Sequence, residues 1–369
     1  MMLTSRLRMS HASRLRCCLP ALTSSMRQKV AEPAMRLQQR HLATDSPSSE
    51  EKASSRMPNL PPALDESLRG VGQVVFCNSA ASGGMILAAL GYADPWLGAL
   101  AALGTATATG TARLISLDDG MVSNGLAGYN GCLVGCAFSV FLGLPAWSPT
   151  AAIATVAGAA ASAPLAAALK PMCGSVPQWT LSFNIATLSA LTALRPLAGA
   201  APADPSVAIS AMEYALSPLV GVSQIFVVND PICGALLLGG IGMYSPACAL
   251  HTLGGSVIGV ATAVALGAAP TEIGMGLWGF NPALTSLAVS VFFVPGAASY
   301  ALATGGAAAT AVLFGGAKVA MGTALGVPAL TLPFCATASA CYLLHTGAGG
   351  VPGLVLAAAP HSPEQNAPP

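Results

Sequence analysis

Apolar residues in this chain fall in long runs, and polar residues are confined to short interruptions between them. Ten such runs follow the first seventy residues. They lie near 71–92, 95–117, 122–143, 148–169 and 176–195, then near 222–243, 246–267, 273–294, 297–320 and 328–346. A helix rising about 1.5 Å per residue needs about 20 residues to cross the hydrocarbon of a bilayer. The pattern predicts a polytopic helical membrane protein.

The ten runs are two sets of five, because the chain repeats itself at a fixed spacing of 151 residues. Gln73 returns as Gln224, Asn78 as Asn229, Gly83 as Gly234, Pro95 as Pro246 and Gly104 as Gly255. Gly128-Tyr129-Asn130 returns as Gly279-Phe280-Asn281, and Thr180 and Phe183 return as Thr331 and Phe334. Accidental likeness between Ala- and Gly-rich stretches would drift in register, yet no gap is needed from about residue 70 to residue 341. Five crossings per copy put the second copy upside down relative to the first. The expected fold is all-α: two inverted five-helix repeats, about ten spans with interrupted or re-entrant segments, around a central pore. The expected division is a basic tail over 1–65, a first repeat over 66–195, a linker over 196–220, a second repeat over 221–346 and a tail over 347–369.

Matching positions of both copies break the helical pattern. Residues 78–84 read Asn-Ser-Ala-Ala-Ser-Gly-Gly, and their counterpart opens Asn229-Asp230-Pro231. Residues 125–131 and 276–282 likewise cluster Gly, Asn and Pro. Backbone groups freed inside lipid cost several kcal/mol each unless protein or a water-filled cavity satisfies them. Paired breaks therefore mark a permeation path. Close helix contact explains isolated glycines well but explains the paired asparagines poorly. The run from Ala151 to Ala168, made mostly of small residues, is read as a tightly packed helix without chemistry.

Composition agrees and narrows the partners. Hydrophobic residues make up 54%, charged residues 8%, and the mean hydropathy is +0.66, against roughly 25% charged in a soluble domain. The net charge of +1 averages two unlike regions, since eleven of the fifteen basic residues precede residue 70. No basic patch interleaves with aromatics, so no nucleic-acid partner is expected. The ten cysteines form no C-x-x-C pair and sit mostly in apolar runs. They are read as packing residues, with no metal, cofactor or disulfide framework. Residues 1–41 are rich in Arg and Ser and carry one acid, Glu32. That is the composition of an organellar leader, with Arg40-His41-Leu42-Ala43 as a processing site. A cytosolic tail whose arginines orient the protein fits equally. The first reading implies an organellar inner membrane and the second the plasma membrane.

Intramembrane polar residues suggest function, and the repeat asks which of them occur twice. Three pairs pass: Gln73 with Gln224, Asn130 with Asn281, and Thr180 with Thr331. All are neutral. His251 and His345 have Leu100 and Leu194 as counterparts, so no titratable relay is doubled. Carboxamides and hydroxyls both donate and accept hydrogen bonds. With walls from Phe76, Tyr129, Phe280, Leu133 and Leu284 they would form a flat slot for a small planar uncharged solute. Val227 stands at the repeat position of Phe76 and makes that wall asymmetric.

These residues resemble the urea transporter family, which carries an L-P-x-x-T-x-P-F signature in each half. Here the copies read Val176-Pro177-Gln178-Trp179-Thr180-Leu181-Ser182-Phe183 and Val327-Pro328-Ala329-Leu330-Thr331-Leu332-Pro333-Phe334. Gln73-Val74-Val75-Phe76, Gly128-Tyr129-Asn130 and Leu277-Trp278-Gly279-Phe280-Asn281 carry the same likeness over roughly residues 69–346. The resemblance implies passive, channel-like urea conduction, no enzymatic activity, and commonly a homotrimer in the bilayer. It assigns Gln73 and Gln224 to the two ends of the filter and Thr180 and Thr331 to its middle. Phe76, Leu133, Val227 and Leu284 become slot walls. Ala80 and Ser182 stand where the family has prolines.

Three rivals fit less well. An aquaporin needs a partner for Asn281-Pro282-Ala283, but the matching triplet is Asn130-Gly131-Cys132. An ammonium channel would pair pore histidines, which the repeat does not. A redox enzyme using Cys132 and Cys136 with His251 or His345 would have to lie outside the repeat, since Ala283 and Leu287 match the cysteines.

Overall fold

In each copy the same residues make and break the helices. A computed structural model describes residues 60–194, 208–345 and 350–367; the leader-or-tail segment lies outside the described residues. The first copy contains α1 (Pro62–Gln73), α2 (Ala80–Ala93), α3 (Pro95–Leu114), α4 (Asp119–Ser123), α5 (Tyr129–Phe141), α6 (Pro149–Cys173) and α7 (Leu181–Ala193). The second contains α8 (Ala211–Ser223), α9 (Pro231–Tyr244), α10 (Pro246–Ala265), α11 (Pro270–Gly274), α12 (Phe280–Phe292), α13 (Ala297–Leu325) and α14 (Leu332–Leu343), and a short α15 (Pro363–Asn366) follows. Helices α2 to α5 and α9 to α12 match residue for residue at the 151 spacing. Pro95 and Pro246 open their helices at N1, where a missing N–H costs nothing. Ser79 and Asp230 cap α2 and α9 by accepting from Ser82 N and Cys233 N.

The breaks are built from left-handed backbone, again in register. Phe76 and Val227 have φ of 58° and 63°, and Trp179 and Leu330 have 50° and 47°. Gly125 and Gly276 have 74° and 69°. At these last two a Cβ would come within 2.5 Å of the Gly70 and Gly221 nitrogens, so only glycine fits.

The polytopic all-α class is confirmed in a form less uniform than ten equal runs. Among the described residues, regular structure is helical apart from an isolated bridge between Phe293 and Leu356. Three helices are long and apolar enough to cross a membrane alone: Pro149–Cys173, Pro246–Ala265 and Ala297–Leu325. A fourth span arises if Ala211–Phe226 and Pro231–Tyr244, bent by 72°, are joined. α3 is equally long at 20 residues, but four threonines dilute its apolar character. The other apolar helices have 12–14 residues, reaching only about 20 Å each. The long helices turn large side chains outward, with Leu250 71% and Ile153 69% exposed. In water such a surface would aggregate; it suits lipid.

Three expected boundaries move. The first repeat begins at Pro62, because Asp65, Glu66 and Arg69 lower the hydropathy of a segment that is nonetheless buried. Arg69 Nε donates to Asp65 Oδ2 at 2.7 Å, and its Nη1 donates to Asn78 O and Oδ1 at 3.0 and 2.9 Å. Such pairing is what permits a buried charge. The linker is shorter than expected, since α8 starts at Ala211 with a capping box of Ser210 and Glu213. The C-terminal tail belongs to the fold. Val294 N donates to Val355 O, Ala357 N to Phe292 O, and Asn366 Nδ2 to Val291 O, at 2.9, 3.0 and 2.7 Å.

One hydrophobic core runs through both copies and includes Val75, Leu133 and Phe138 with Phe226, Leu284 and Phe334. Counterpart helices α2 and α9 cross in it antiparallel. Cys233 Sγ reaches Ala89 O at 3.5 Å, while Gly240 further along α9 lies beside Ile86 and Met85, earlier on α2.

Candidate permeation site

The breaks deliver the two glutamines to equivalent places. Gln73 ends α1 and Gln224 follows α8. Gln73 Nε2 donates to Asn124 O and Gln224 Nε2 to Met275 O, each at 2.8 Å. A backbone carbonyl accepts only from the nitrogen, so the amide orientation is fixed. Each Oε1 accepts no hydrogen bond from the described residues. Both side chains are half-buried, as are Phe76, Val227, Tyr129 and Phe280. Leu133 and Leu284 lie deeper, each 1% exposed.

The centre is formed by α7 and α14, whose first residues follow the left-handed turns at Trp179 and Leu330. Those turns bring Thr180 and Thr331 together: their Oγ1 atoms are 2.7 Å apart, and both residues are buried. Asn184 packs beside the pair. Its Nδ2 donates to Thr180 O and to Thr331 Oγ1, both at 2.8 Å, and its Oδ1 accepts from Thr331 N at 3.2 Å. At the repeat position of Asn184 stands Cys335, whose Sγ lies 3.3 Å from Thr180 Oγ1.

Asn130 and Asn281 are buried, and their carboxamides bond backbone groups. Asn130 Oδ1 accepts from Phe183 N and Asn281 Oδ1 from Phe334 N, both at 3.1 Å. Asn281 Nδ2 donates to Leu330 O at 3.0 Å. In the other copy Trp179 O is met by Tyr129 Oη at 2.5 Å instead. These groups clamp the starts of α7 and α14, and with them the threonines.

The walls differ between the halves. Beside Phe76 stand Trp179 and Phe292, with ring centroids 6.2 and 6.0 Å away, and Trp179 also meets Phe334 at 5.6 Å. Trp179 is held by a bond from its Nε1 to Ser339 Oγ at 2.9 Å. The counterparts of Phe76 and Trp179 are the aliphatic Val227 and Leu330. In the second half Phe280 is braced from behind instead. It touches Phe314 at 5.7 Å, and Phe314 touches Trp278 at 5.4 Å. Trp278 Nε1 donates to Glu272, which also pairs with Lys318.

The sequence reading missed Asn184, Asn124, Trp179 and Phe292. Asn184 and Asn124 have Cys335 and Met275 as counterparts, so a rule that kept only doubled polar residues set them aside, and the rule did not weigh the aromatic Trp179 and Phe292. The signal for Asn184 was its place four residues after Thr180, one helical turn along the same face.

Two copies of one helical unit, an apolar exterior and a neutral polar seam define a polytopic membrane protein of two matched halves. A family model described as urea transporter matches residues 64–346, and the chain belongs to the urea transporter family. It is 32% identical over 299 residues to urea transporter 1 of Rattus norvegicus and to that of Mus musculus, covering 77% of each chain. It is 32% identical over 300 residues to urea transporter 1 of Ovis aries, again covering 77% of both.

Proposed function

We propose that this protein moves urea across a bilayer passively, through a slot running from Gln73 past the threonine pair to Gln224. Family membership supplies urea as the substrate. The observation that carries the route is the direct bond between Thr180 and Thr331. One hydroxyl from each copy meets there, and we assign the Gln73 and Gln224 carboxamide oxygens to the two ends of the route. Urea offers N–H donors to the Gln oxygens and a carbonyl to a hydroxyl donor. Phe76 with Leu133 and Val227 with Leu284 form the flat walls. Asn130 and Asn281 act by positioning. With no doubled acid or histidine along the route, transport follows the urea gradient.

The antiparallel crossing of α2 and α9 supports the inverted arrangement of the copies. We further propose a homotrimer in the bilayer, checked by counting subunits of the detergent-purified protein by mass photometry. Residues 1–41 decide the membrane. A reporter carrying residues 1–60 enters mitochondria if they are a leader and stays outside if they are a tail. Conduction itself is tested in proteoliposomes by stopped-flow light scattering under a urea gradient. Rapid volume recovery unaffected by proton or sodium gradients is expected, and a requirement for either gradient would overturn the passive mechanism.

A further inference from the structure

The two copies part company at the end of α12, beside the slot. That helix stops at Phe292, and Phe293 after it is extended, with φ −118° and ψ 149°. At the matching place α5 stops at Phe141, and Leu142 keeps helical angles of −74° and −14°. The last carbonyls of a helix have no partner inside it. In α12 the C-terminal segment meets two of them. Phe292 O accepts from Ala357 N at 3.0 Å, and Val291 O accepts from Asn366 Nδ2 at 2.7 Å. Val294 N donates to Val355 O at 2.9 Å, and Leu354 shares a buried apolar cluster with Val289 and Phe293. Further along, Glu364 accepts from Ser245 Oγ and Ala247 N at the start of α10. The segment is a strap pinned to two helices.

What the strap holds is a residue of the aromatic wall. Phe292 is half-buried, and its ring meets Phe76, Trp179 and Tyr342 with centroids 6.0, 5.1 and 6.1 Å away. Its neighbours are fixed by other means. Phe76 sits in its own turn, where Phe76 N donates to Gln73 O and Cys77 N to Gly72 O. Trp179 is tied to Ser339. Phe292 stands at a helix end, and helix ends fray unless something holds them.

We propose that residues 350–367 set the width of the slot at its Gln73 end by fixing Phe292, which makes the C-terminal segment a selectivity element of the route. This rests on Phe76 being a wall of that route. With the strap docked, Phe292 keeps its edge contact with Phe76, and the passage fits a molecule as small as urea. With the strap loosened, the ring withdraws and amides one methyl group larger pass.

The test is the ratio of N-methylurea to urea permeability in proteoliposomes at matched protein density. Ala357→Pro removes the N–H that holds Phe292 O and leaves the rest of the segment in place. It raises the ratio by about two- to fivefold, the range in which loosening one aromatic contact falls. Asn366→Ala, which frees Val291 O, raises it in the same direction and serves if Ala357→Pro is not recovered as monodisperse protein. Phe292→Ala raises the ratio by itself, and adding Ala357→Pro to it brings no further rise, because both changes act through one ring. An unchanged ratio in both strap variants overturns the proposal, as do increases that multiply in the double variant. A wild-type ratio in Phe292→Ala would overturn the underlying reading of the Phe76 wall as well. A raised ratio in Phe292→Ala with no change in the strap variants would sink the role of the segment alone.

Discussion

Thr180 and Thr331, counterparts 151 residues apart, are hydrogen-bonded to each other at 2.7 Å. This contact brings matching positions of the two copies together at one buried polar point. The polar groups around it are neutral and hold one another by hydrogen bonds. That arrangement keeps them in place in a low-dielectric interior without buried net charge.

The first prediction concerns Ser182, where α14 carries Pro333. The Ser182 hydroxyl is buried and has no hydrogen-bond partner among the described residues. It occupies the first turn of α7, where proline is tolerated. Ser182→Pro removes the unmet group and stiffens the unfolded chain, so stability rises by about 1–2 kcal/mol. Thermal unfolding in detergent should show a higher midpoint with urea flux retained.

Gly276 provides the opposite case. Its φ of 69° and the Gly221 nitrogen within 2.5 Å of an added Cβ leave no room for alanine. Gly276→Ala combines backbone strain with overpacking and costs roughly 2–4 kcal/mol. The expected result is a lower unfolding midpoint and a loss of monodisperse protein, read by size-exclusion chromatography. Gly125→Ala behaves the same way.

How far the sequence carried is clear from particular residues. The 151-residue register put paired breaks from Asn78 and Asn229, two residues past the left-handed turns at Phe76 and Val227, and it paired Gln73 with Gln224 and Thr180 with Thr331. Hydropathy could not show that α2, α5 and α7 are half-length, because helices ending inside a protein are as apolar as those ending at its surface. The doubled asparagines show what the register leaves open. A carboxamide repeated inside a membrane can serve the backbone as well as a solute, and Asn130 and Asn281 serve the backbone. The single-copy Asn184 was passed over for the converse reason. Where the copies meet, the one Asn184 side chain bonds both Thr180 and Thr331, so it need not be duplicated.

The aromatic wall near Phe76 carries a selectivity prediction. Phe76→Val makes the first half resemble the second, where Val227 stands, and gives up ring contacts with Trp179 and Phe292. Urea flux is retained, while permeability to bulkier amides such as N-methylurea rises several-fold. Swelling assays across a series of amides would show the change.

The C-terminal segment carries a pH prediction. Glu364 Oε1 accepts from Ala247 N at 2.9 Å and Oε2 from Ser245 Oγ at 2.6 Å. It thus supplies the start of α10 with a carboxylate, as Asp94 does for α3. Partial burial raises its pKa, but the hydrogen bonds from Ser245 and Ala247 outweigh that, and the carboxyl lies below its ordinary value. A depressed carboxyl contributes stability that is present above the unfolded value of about 4.3 and lost as pH falls through the folded one. Docking of the segment is therefore constant from pH 5 to 8 and weakens only below about pH 4. Limited proteolysis at neutral pH should cut this segment faster in Glu364→Ala than in the wild type.

The central claim is that urea passes between the two halves at the threonine pair. Urea permeability of Thr331→Val proteoliposomes, at matched protein density, tests it most directly. Valine keeps the shape and removes the hydroxyl that faces both Thr180 and Asn184. Loss of one hydrogen bond to a permeating molecule lowers flux by about tenfold, and that fall is expected. Permeability equal to that of the wild type would contradict the account.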